Sequence, residues 1–243
     1  MYLVTRISVV IPTRNEAESI ARVLEDIPRP PVTDVVVVDA DSTDGTAAIA
    51  AACGARVVVE PRRGYGRACL TGIEQVSPSD IIVFLDGDYS DRPQELPRII
   101  DPILANRADI VIGSRLAGTR APGALPWHSV AGNWAAACLI RVMYGVTITD
   151  LGPFRAARGD TIRSLALCET SYGWAVELIL RGALARKRIA EVPVSYYPRI
   201  GRSKITGTVA GSLGAACYIF VRIFQYRWRS ARSSRMAAPD ARG

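Results

Sequence analysis

The chain has 243 residues, of which 49 % are apolar, 22 % are charged and one is histidine. This composition predicts one large globular domain with at most a short appendage; it excludes a disordered or collagen-like protein and argues against zinc chemistry based on imidazole ligands. The formal net charge of +7 is concentrated at one end, because residues 1–198 hold 21 basic and 22 acidic side chains whereas residues 199–243 hold nine and one.

The first half of the chain alternates apolar runs with amphipathic stretches. The N-terminal residues resemble a first strand and lack the apolar core and cleavage site of a signal peptide. Predicted strands cover 7–11, 35–38, 56–60, 81–85 and 109–113. Predicted helices cover 16–27, 46–53, 66–76 and 94–105. The alternation predicts an α/β fold with a mostly parallel sheet covered by helices on both faces, and its ligands should bind beyond the carboxyl ends of the strands.

The second half is less regular. Helices are predicted over 127–144, 159–168 and 173–185, with a strand over 188–197. A Gly-dotted segment with aromatic and arginine residues follows, and it reads as a C-terminal amphipathic helix. The predicted division is a catalytic domain over 1–204, this helix over 205–230 and a disordered basic tail over 231–243.

Polar residues collect where the first five strands end, at 12–16, 39–46, 61–68, 86–88 and 113–115. Each cluster taken alone could serve only to cap a helix or form a turn, as Asn15, Ser42, Thr43 and Asp44 commonly do. Because all five clusters should meet at one edge of the sheet, they predict a binding site.

The segment Asp86-Gly87-Asp88 follows an apolar strand directly. Two carboxylates separated by one glycine can approach the same cation, and their hard oxygen atoms suit Mg²⁺ or Mn²⁺ bound to phosphate. A solvated turn is the alternative interpretation. We predict that Asp86 and Asp88 hold a divalent metal ion.

Two further motifs favour a nucleotide. Asp39 and Asp41 follow the second strand, where a carboxylate can accept hydrogen bonds from a base or ribose. A basic glycine-rich loop opens the third helix and offers N–H groups and guanidinium groups to a diphosphate: Arg62, Arg63, Gly64, Gly66 and Arg67. No Walker A or G-x-G-x-x-G pattern occurs.

Taken in order and spacing, P-T-R-N-E, V-V-D-A-D-S-T-D-G-T, the Gly64-x-Gly66 loop, D-G-D and G-S-R resemble family 2 glycosyltransferases. E-V-P-V at 191–194 and R-x-G-x-S-K at 199–204 resemble the dolichol-phosphate mannose synthase-like branch, which contains polyprenyl-phosphate sugar transferases. The resemblance covers about residues 6–230 and implies a GT-A-type, Rossmann-like fold.

The resemblance also implies roles for individual residues. The nucleoside would be framed by Pro12, Arg14, Glu16 and Asp39. The donor would also meet Asp41, Gly64, Gly66, Arg67, Asp86 and Gly87. Arg115 would contact phosphate or the donor sugar. Groups that close over the diphosphate and the acceptor phosphate would be Arg199, Arg202, Ser203 and Lys204. The residues implied in catalysis are Asp88, Arg115, Asp150, Arg202 and Lys204.

The implied reaction is inverting sugar transfer from a GDP-mannose- or UDP-glucose-type donor to a polyprenyl or dolichyl phosphate. A phosphate monoester with a second pKa of about 6 is ionised at neutral pH and needs no protein base. A soluble hydroxyl acceptor would need one, and the candidates are Asp91, Asp150 and Glu177. A nucleotidyltransferase and a basic protein that binds nucleic acid or acidic membrane are the rival functions.

The basic C-terminal segment predicts a peripheral membrane contact and no nucleic-acid partner. Aromatic and arginine side chains together suit the lipid headgroup level. Packing of this helix on its own domain, or on a second subunit in a homo-oligomer, is the alternative. On the membrane interpretation, deletion of 206–243 should abolish transfer to a lipid acceptor and spare donor binding. Five widely spaced cysteines with no C-x-x-C predict a reducing compartment, the cytoplasm. Together with the basic segment, this predicts a peripheral protein on the cytoplasmic face of the membrane.

Overall fold

The computed structural model describes residues 5–77, 81–201, 214 and 217–228. One sheet of seven strands has the order β3-β2-β1-β4-β6-β5-β7. The strands are β1 Ile7–Thr13, β2 Asp34–Asp39, β3 Arg56–Val59, β4 Ile81–Phe84, β5 Ile110–Ser114, β6 Arg155–Arg158 and β7 Ile189–Pro193. The helices are α1 Ile20–Glu25, α2 Thr46–Ala52, α3 Tyr65–Gln75, α4 Leu96–Leu104, α5 Trp127–Tyr144, α6 Gly159–Ser164 and α7 Trp174–Leu184, and residues 217–228 form the C-terminal helix.

Strand side chains alternate between two apolar layers, as a sheet covered on both faces requires. Val9 and Ile11 pack on the side of α1, α2 and α4, whereas Val10 packs on the side of α3, α6 and α7. The predicted α/β class with a mostly parallel sheet is therefore confirmed.

The C-terminal helix is part of the domain's packing. Its Ile223 is fully buried in a third apolar cluster with α5 and α7. The Tyr144 hydroxyl at the end of α5 donates to the Ile223 carbonyl (2.6 Å). Deleting 206–243 would therefore open this cluster, so that deletion cannot separate membrane binding from folding. Of the predicted helix, residues 205–213, 215, 216, 229 and 230 lie outside the described residues, as does the whole predicted tail 231–243.

The main difference from the predicted elements is β6, a strand that we did not predict within 150–158. It pairs antiparallel with both β4 and β5. Arg155 at its start lies opposite Phe84 at the end of β4. A strand that runs in the opposite direction begins where its neighbours end, so the loop from Asp150 to Phe154 lies at the carboxyl edge of the sheet.

Smaller differences concern element ends. α1 begins four residues later than predicted, because Ser19 and Ile20 first form a turn on the Glu16 carbonyl. A short 3-10 helix, Pro93–Glu95, precedes α4. The strand predicted over 188–197 ends at Pro193, since the following N–H groups bond to other segments.

Candidate active site

The loops after β1 and β2 are joined by hydrogen bonds. The Asn15 N–H donates to Ser42 Oγ (2.8 Å), and the Thr43 N–H donates to Asn15 Oδ1 (2.9 Å). Asp44 accepts the N–H of Thr46 at the start of α2 (3.1 Å) and the N–H of Ala17 in the loop after β1 (3.0 Å), so it also joins the two loops. The side chains of Asn15 and Ser42, together with the Thr43 N–H, hold the two loops at one edge of the sheet.

Asp39 lies at the end of β2, in register with Thr13 of β1. It is 4 % exposed and accepts the Ser42 N–H (3.1 Å) and the Ser42 hydroxyl (2.5 Å). Asp41 is exposed and has a left-handed backbone, with φ of 60°. The two predicted nucleoside carboxylates thus differ, since Asp39 is fixed by its own loop and Asp41 faces solvent.

The other predicted nucleoside residues follow β1. Pro12 pairs with Val38 and is half-buried. Arg14 is half-buried, and its Nε atom is buried without a hydrogen-bond partner. Glu16 is buried, and its Oε1 lies 3.2 Å from a terminal nitrogen of Arg199. All of these residues therefore reach the edge where Asp39 lies.

The glycine-rich loop differs from its predicted role. The Gly66 N–H donates to the Ser171 carbonyl and the Arg67 N–H donates to the Thr170 carbonyl (3.1 Å each). A Cβ at Gly64 would collide with the Thr170 carbonyl oxygen. The expectation that these two amides bind a diphosphate is corrected, because carbonyl groups already occupy them and the glycines allow close packing of the backbone.

The three arginines of this loop differ in exposure and in hydrogen-bond partners. The Arg62 guanidinium pairs with Glu60 (2.8 Å) and, with the Thr71 hydroxyl, lowers the pKa of that carboxyl to about 2. Arg63 is exposed. Arg67 is half-buried, and its Nε atom is buried without a hydrogen-bond partner.

The Asp86-Gly87-Asp88 turn is held against β1. The Ser19 hydroxyl donates to the Gly87 carbonyl (2.7 Å), and a Cβ at Gly87 would lie 2.8 Å from Thr13 Cγ2. Asp88 Oδ1 accepts the N–H and the hydroxyl of Ser90 (2.9 and 2.6 Å). The glycine is needed for close approach, and the Ser90 bonds fix the orientation of the second carboxylate.

Asp86 is held in an unusual state. Burial, followed by the charge of Asp88, raises the pKa of Asp86 to about 7, against the opposing effects of Tyr65 and Arg199. Its Oδ1 is buried without a hydrogen-bond partner. A carboxylate oxygen that lacks a proton donor inside the protein is suited to a cation.

The two aspartates fit a divalent metal ion that completes its ligand shell from the substrate. Their hard oxygen atoms suit Mg²⁺ or Mn²⁺, which bind proteins through one or two carboxylates together with phosphate and water. In the part of the chain that the structure describes, no cluster of three or more His, Cys, Asp or Glu side chains could hold a metal ion. A divalent ion at these two aspartates would need further ligands, such as water or phosphate oxygen atoms.

Arg115 and Asp150 form a buried ion pair on the other side of β4. The Arg115 Nε and a terminal nitrogen donate to the two Asp150 oxygen atoms (2.7 and 2.8 Å). Although burial raises it, the adjacent guanidinium holds the pKa of Asp150 below its ordinary value. Glu191 orients this loop by accepting the N–H groups of Thr149 and Asp150 (2.8 and 3.0 Å).

The three candidate bases are in different environments. Asp150 is paired with Arg115, which opposes proton uptake. Glu177 is 1 % exposed, and its hydrogen bonds link α7 to the C-terminal helix and to a neighbouring loop. The donors are the side chains of Arg181 and Tyr226 and the N–H groups of Cys168 and Glu169.

Asp91 is 1 % exposed and neither carboxylate oxygen has a hydrogen-bond partner. Burial, followed by the charges of Asp86 and Asp88, raises the pKa of Asp91 well above its ordinary value. Glu177 is thus a structural residue and Asp91 carries the unsatisfied carboxyl group.

The structure adds residues that we did not predict. The Arg115 guanidinium lies 5.0 Å from the centroid of the Tyr196 ring. Arg155 is fully buried and donates to the carbonyls of Leu151 and Gly152 (2.9 and 2.8 Å), so it fixes the loop that carries Asp150. Neither residue belongs to a strand-end motif. Arg155 lies in the antiparallel strand β6, and Tyr196 is placed by bridges to Asp91 and Arg120. Arg202, Ser203 and Lys204 lie outside the described residues.

The tryptophans divide between core and surface. Trp174 is fully buried and its ring centroid lies 4.7 Å from that of Phe84. On α5, Trp127 is 79 % exposed and Trp134 is 65 % exposed.

Within the described residues, no helix is both long enough and apolar enough to cross a bilayer.

Comparison with known proteins gives consistent results. The model of glycosyl transferase family 2 matches residues 8–162. An uncharacterised glycosyltransferase of Mycobacterium tuberculosis is 37 % identical over 210 residues, which cover 85 % of this chain and 93 % of that protein. The undecaprenyl-phosphate mannosyltransferase of Micrococcus luteus is 36 % identical over 227 residues, covering 85 % and 90 %.

A solved structure with a similar fold is glucosyl-3-phosphoglycerate synthase of Mycobacterium tuberculosis, in complex with Mn²⁺, UDP and glucosyl-3-phosphoglycerate. It superposes with a TM-score of 0.71 at 26 % identity, covering 92 % of this chain and 80 % of that chain.

Proposed function

Because this chain belongs to glycosyl transferase family 2, we propose that it transfers a sugar, with inversion, from a nucleoside diphosphate sugar to a polyprenyl or dolichyl phosphate. The observation that carries the proposal is the position of Asp39, Asp86 and Asp88 at the carboxyl ends of β2 and β4, the two strands on either side of β1. Arg115 and Arg199 lie at the same edge and supply positive charge for phosphate.

In this proposal the donor binds across β1, β2 and β4. Asp39 accepts hydrogen bonds from the nucleoside, and Pro12 and Arg14 line the same end of the site. Asp86 and Asp88 would hold Mg²⁺ or Mn²⁺, and a bound ion would neutralise charge on the diphosphate leaving group. Arg115 and Arg199 would stabilise the same charge as the bond to the sugar breaks.

A lipid phosphate acceptor suits the site for two reasons. Its phosphate is ionised at neutral pH and attacks without a protein base. Asp150 is paired with Arg115 and Glu177 has its oxygen atoms occupied, so two of the three candidate bases are committed elsewhere. The similarity to the undecaprenyl-phosphate mannosyltransferase supports the same acceptor class.

A soluble hydroxyl acceptor is the second candidate. The unpartnered oxygen atoms of Asp91 favour it, since such an acceptor needs a base. The structural similarity to glucosyl-3-phosphoglycerate synthase supports it as well. The family match leaves the nucleotidyltransferase and nucleic-acid-binding alternatives without support.

One assay separates these functions. The purified protein is incubated with Mn²⁺, UDP-glucose or GDP-mannose, and either undecaprenyl phosphate in vesicles or phosphoglyceric acid. We expect free nucleoside diphosphate together with a lipid-linked sugar. Transfer to phosphoglyceric acid but not to undecaprenyl phosphate would contradict the lipid acceptor and support a soluble one. Release of pyrophosphate would contradict glycosyl transfer.

Donor binding can be tested through Asp39. Asp39→Asn should weaken binding of the nucleotide sugar about tenfold or more and change kcat little, because a charged hydrogen bond far from the reacting carbon stabilises ground state and transition state equally. Calorimetric Kd and steady-state kcat are the measurements. Asp34→Asn is the control, since it removes one negative charge from the other end of the same strand, where Asp34 pairs with Arg56. A large fall in kcat at unchanged affinity would contradict the assignment.

We propose that the protein binds the cytoplasmic face of a membrane through α5 and the C-terminal helix. The outer side of α5 carries exposed Trp127, Trp134 and Val142, and α5 contains no acidic residue. The neighbouring C-terminal helix exposes Val221, Phe224, Trp228 and Arg227. Aromatic rings and arginines on adjacent helices suit the headgroup level of an anionic bilayer.

The membrane contact predicts a measurable loss when the rings are removed. Trp127→Ser/Trp134→Ser should reduce the fraction of protein that floats with anionic vesicles at low salt roughly tenfold, because the apolar area available to the bilayer shrinks. Leu104→Ser is the control, since Leu104 is an exposed apolar residue on α4, a different helix. Full-length protein that does not float at all would contradict the proposal. A dimer that the double variant dissociates would assign this face to a second subunit.

A further inference from the structure

Arg199 occupies the acidic end of the proposed donor site. One terminal nitrogen of its guanidinium lies 3.2 Å from Glu16 Oε1 and 3.3 Å from Asp88 Oδ2. Its side chain is 27 % exposed, and its Nε atom is buried without a hydrogen-bond partner. Glu16 is presented by the loop after β1 and Asp88 by the turn after β4, so Arg199 joins the two.

The backbone brings Arg199 to this place. The Ile200 N–H donates to the Asp88 carbonyl (3.0 Å), and the Tyr197 N–H donates to the Ser90 carbonyl (2.9 Å). Asp91 and Tyr196 form an isolated antiparallel bridge. The segment after β7 is therefore hydrogen-bonded in register to the turn that carries both proposed metal ligands.

The charges explain why a cation is needed here. Glu16 and Asp88 are both buried and lie within 3.3 Å of the same Arg199 nitrogen, and buried carboxylates without a counter-charge repel one another. Asp88 Oδ1 is used by Ser90, so Oδ2 is the oxygen left for a cation, and that oxygen faces Arg199. A guanidinium and a divalent ion cannot both lie against Asp88 Oδ2 without strong repulsion.

We propose that Arg199 is a built-in counter-cation that competes with the metal ion for Asp88 and, when displaced, becomes available to the donor diphosphate. The inference rests on the proposed function, since it requires a metal site at Asp86 and Asp88. It assigns Arg199 two successive partners, carboxylates before the donor binds and phosphate afterwards. Metal loading and recruitment of a phosphate-binding arginine are then a single event.

This role predicts that one substitution changes the Mn²⁺ affinity and the rate of sugar transfer in opposite directions. Arg199→Gln removes the competing charge, so Mn²⁺ should bind the nucleotide-free protein on the order of tenfold more tightly. The same substitution should lower the rate of sugar transfer, because one phosphate contact is lost. A purely structural role for Arg199 would weaken both properties together.

The experiment measures free Mn²⁺ by electron paramagnetic resonance during titration of the full-length, nucleotide-free protein. Wild type, Arg199→Gln and Arg199→Lys are compared, and the lysine variant should stay near the wild-type affinity because it keeps the charge. Arg98→Gln is the matched control for the loss of one positive charge, since Arg98 lies on α4 and pairs with Glu95. Its affinity should equal that of wild type.

Asp86→Asn separates failure of this inference from failure of the proposed function. If Mn²⁺ binding depends on Asp86 but Arg199→Gln binds equally or more weakly, the counter-cation role is wrong and the metal site stands. If neither wild type nor Arg199→Gln binds Mn²⁺ in an Asp86-dependent way, the metal site at Asp86 and Asp88 is wrong and the counter-cation role fails with it. Tighter binding by both Arg199→Gln and Arg199→Lys would also overturn the charge argument.

Discussion

Replacing Asp86 with asparagine should lower the rate of sugar transfer by roughly a thousandfold or more while leaving the protein fully folded. Asp86 is proposed to hold the metal ion on the leaving diphosphate, and losing one such electrostatic contact removes several kcal/mol of transition-state stabilisation. Its Oδ1 makes no hydrogen bond within the protein, so asparagine removes a buried charge without breaking a contact at that atom. Steady-state kinetics with Mn²⁺ and thermal unfolding are the two measurements.

The pH dependence of stability provides an internal check. The pKa of Asp86 is raised to about 7 in the folded protein, so folding opposes its ionisation. The stability that the protonated form contributes is present at about pH 4 and is lost as the pH rises to 7. Metal-free Asp86→Asn should therefore match wild type near pH 4 and become more stable than wild type towards pH 7. Added Mn²⁺ should stabilise only wild type.

Asp88 offers a matched comparison at the same turn. Asp88→Ala should abolish turnover to a similar extent, and it should also cost about 1–2 kcal/mol of stability because Ser90 loses its hydrogen-bond acceptor. Either aspartate variant that kept metal-dependent activity near wild type would refute the metal assignment.

Replacing Asp150 with alanine should destabilise the fold by about 3–5 kcal/mol and remove activity. Asp150 is fully buried and binds both donor nitrogens on one side of the Arg115 guanidinium. Without this carboxylate, Arg115 would remain as an unpaired charge that is only 8 % exposed. Chemical unfolding of the variant gives the change in stability directly.

The double variant Arg115→Met/Asp150→Leu distinguishes stability from catalysis. An apolar pair of similar volume avoids the unpaired Arg115 charge, so the double variant should recover much of the stability that Asp150→Ala loses. Recovery should be incomplete, because the backbone N–H groups of residues 115 and 151 lose their acceptor. It should remain inactive, because Arg115 is proposed to contact the donor. Recovery of both stability and transfer would show that the pair acts only in folding.

Most of the N-terminal half could be predicted from the sequence. The apolar runs at Val9–Ile11 and Val35–Val38 have neighbours on both faces, and the polar clusters that follow them mark the strand ends. In parallel strands these ends fall on one edge, so Asp39 and Asp86 were placed together without any structure. The alternation of apolar runs and polar clusters is local and regular, so the sequence alone predicts the strands and their ends.

The second half depended on distant contacts. β6 contains only four residues, Arg155–Arg158, and its two arginines hide the apolar pattern of a central strand. Its direction decides that Asp150 faces Arg115, the residue directly after β5, rather than the opposite edge. No local pattern encodes that direction, because it is set by pairing with β4 and β5.

Strand ends, the acidic turn and the family pattern are properties of short stretches of chain, because a few neighbouring residues determine a strand, a turn and a charge. Which polar groups remain free for a ligand is a property of contacts between stretches far apart. The Gly66 and Arg67 amides meet carbonyls about a hundred residues later, and Arg199 meets Glu16 from the opposite end of the domain. Only the folded chain brings such partners within hydrogen-bonding distance, so only the tertiary structure decides which groups are already satisfied and which can bind a substrate.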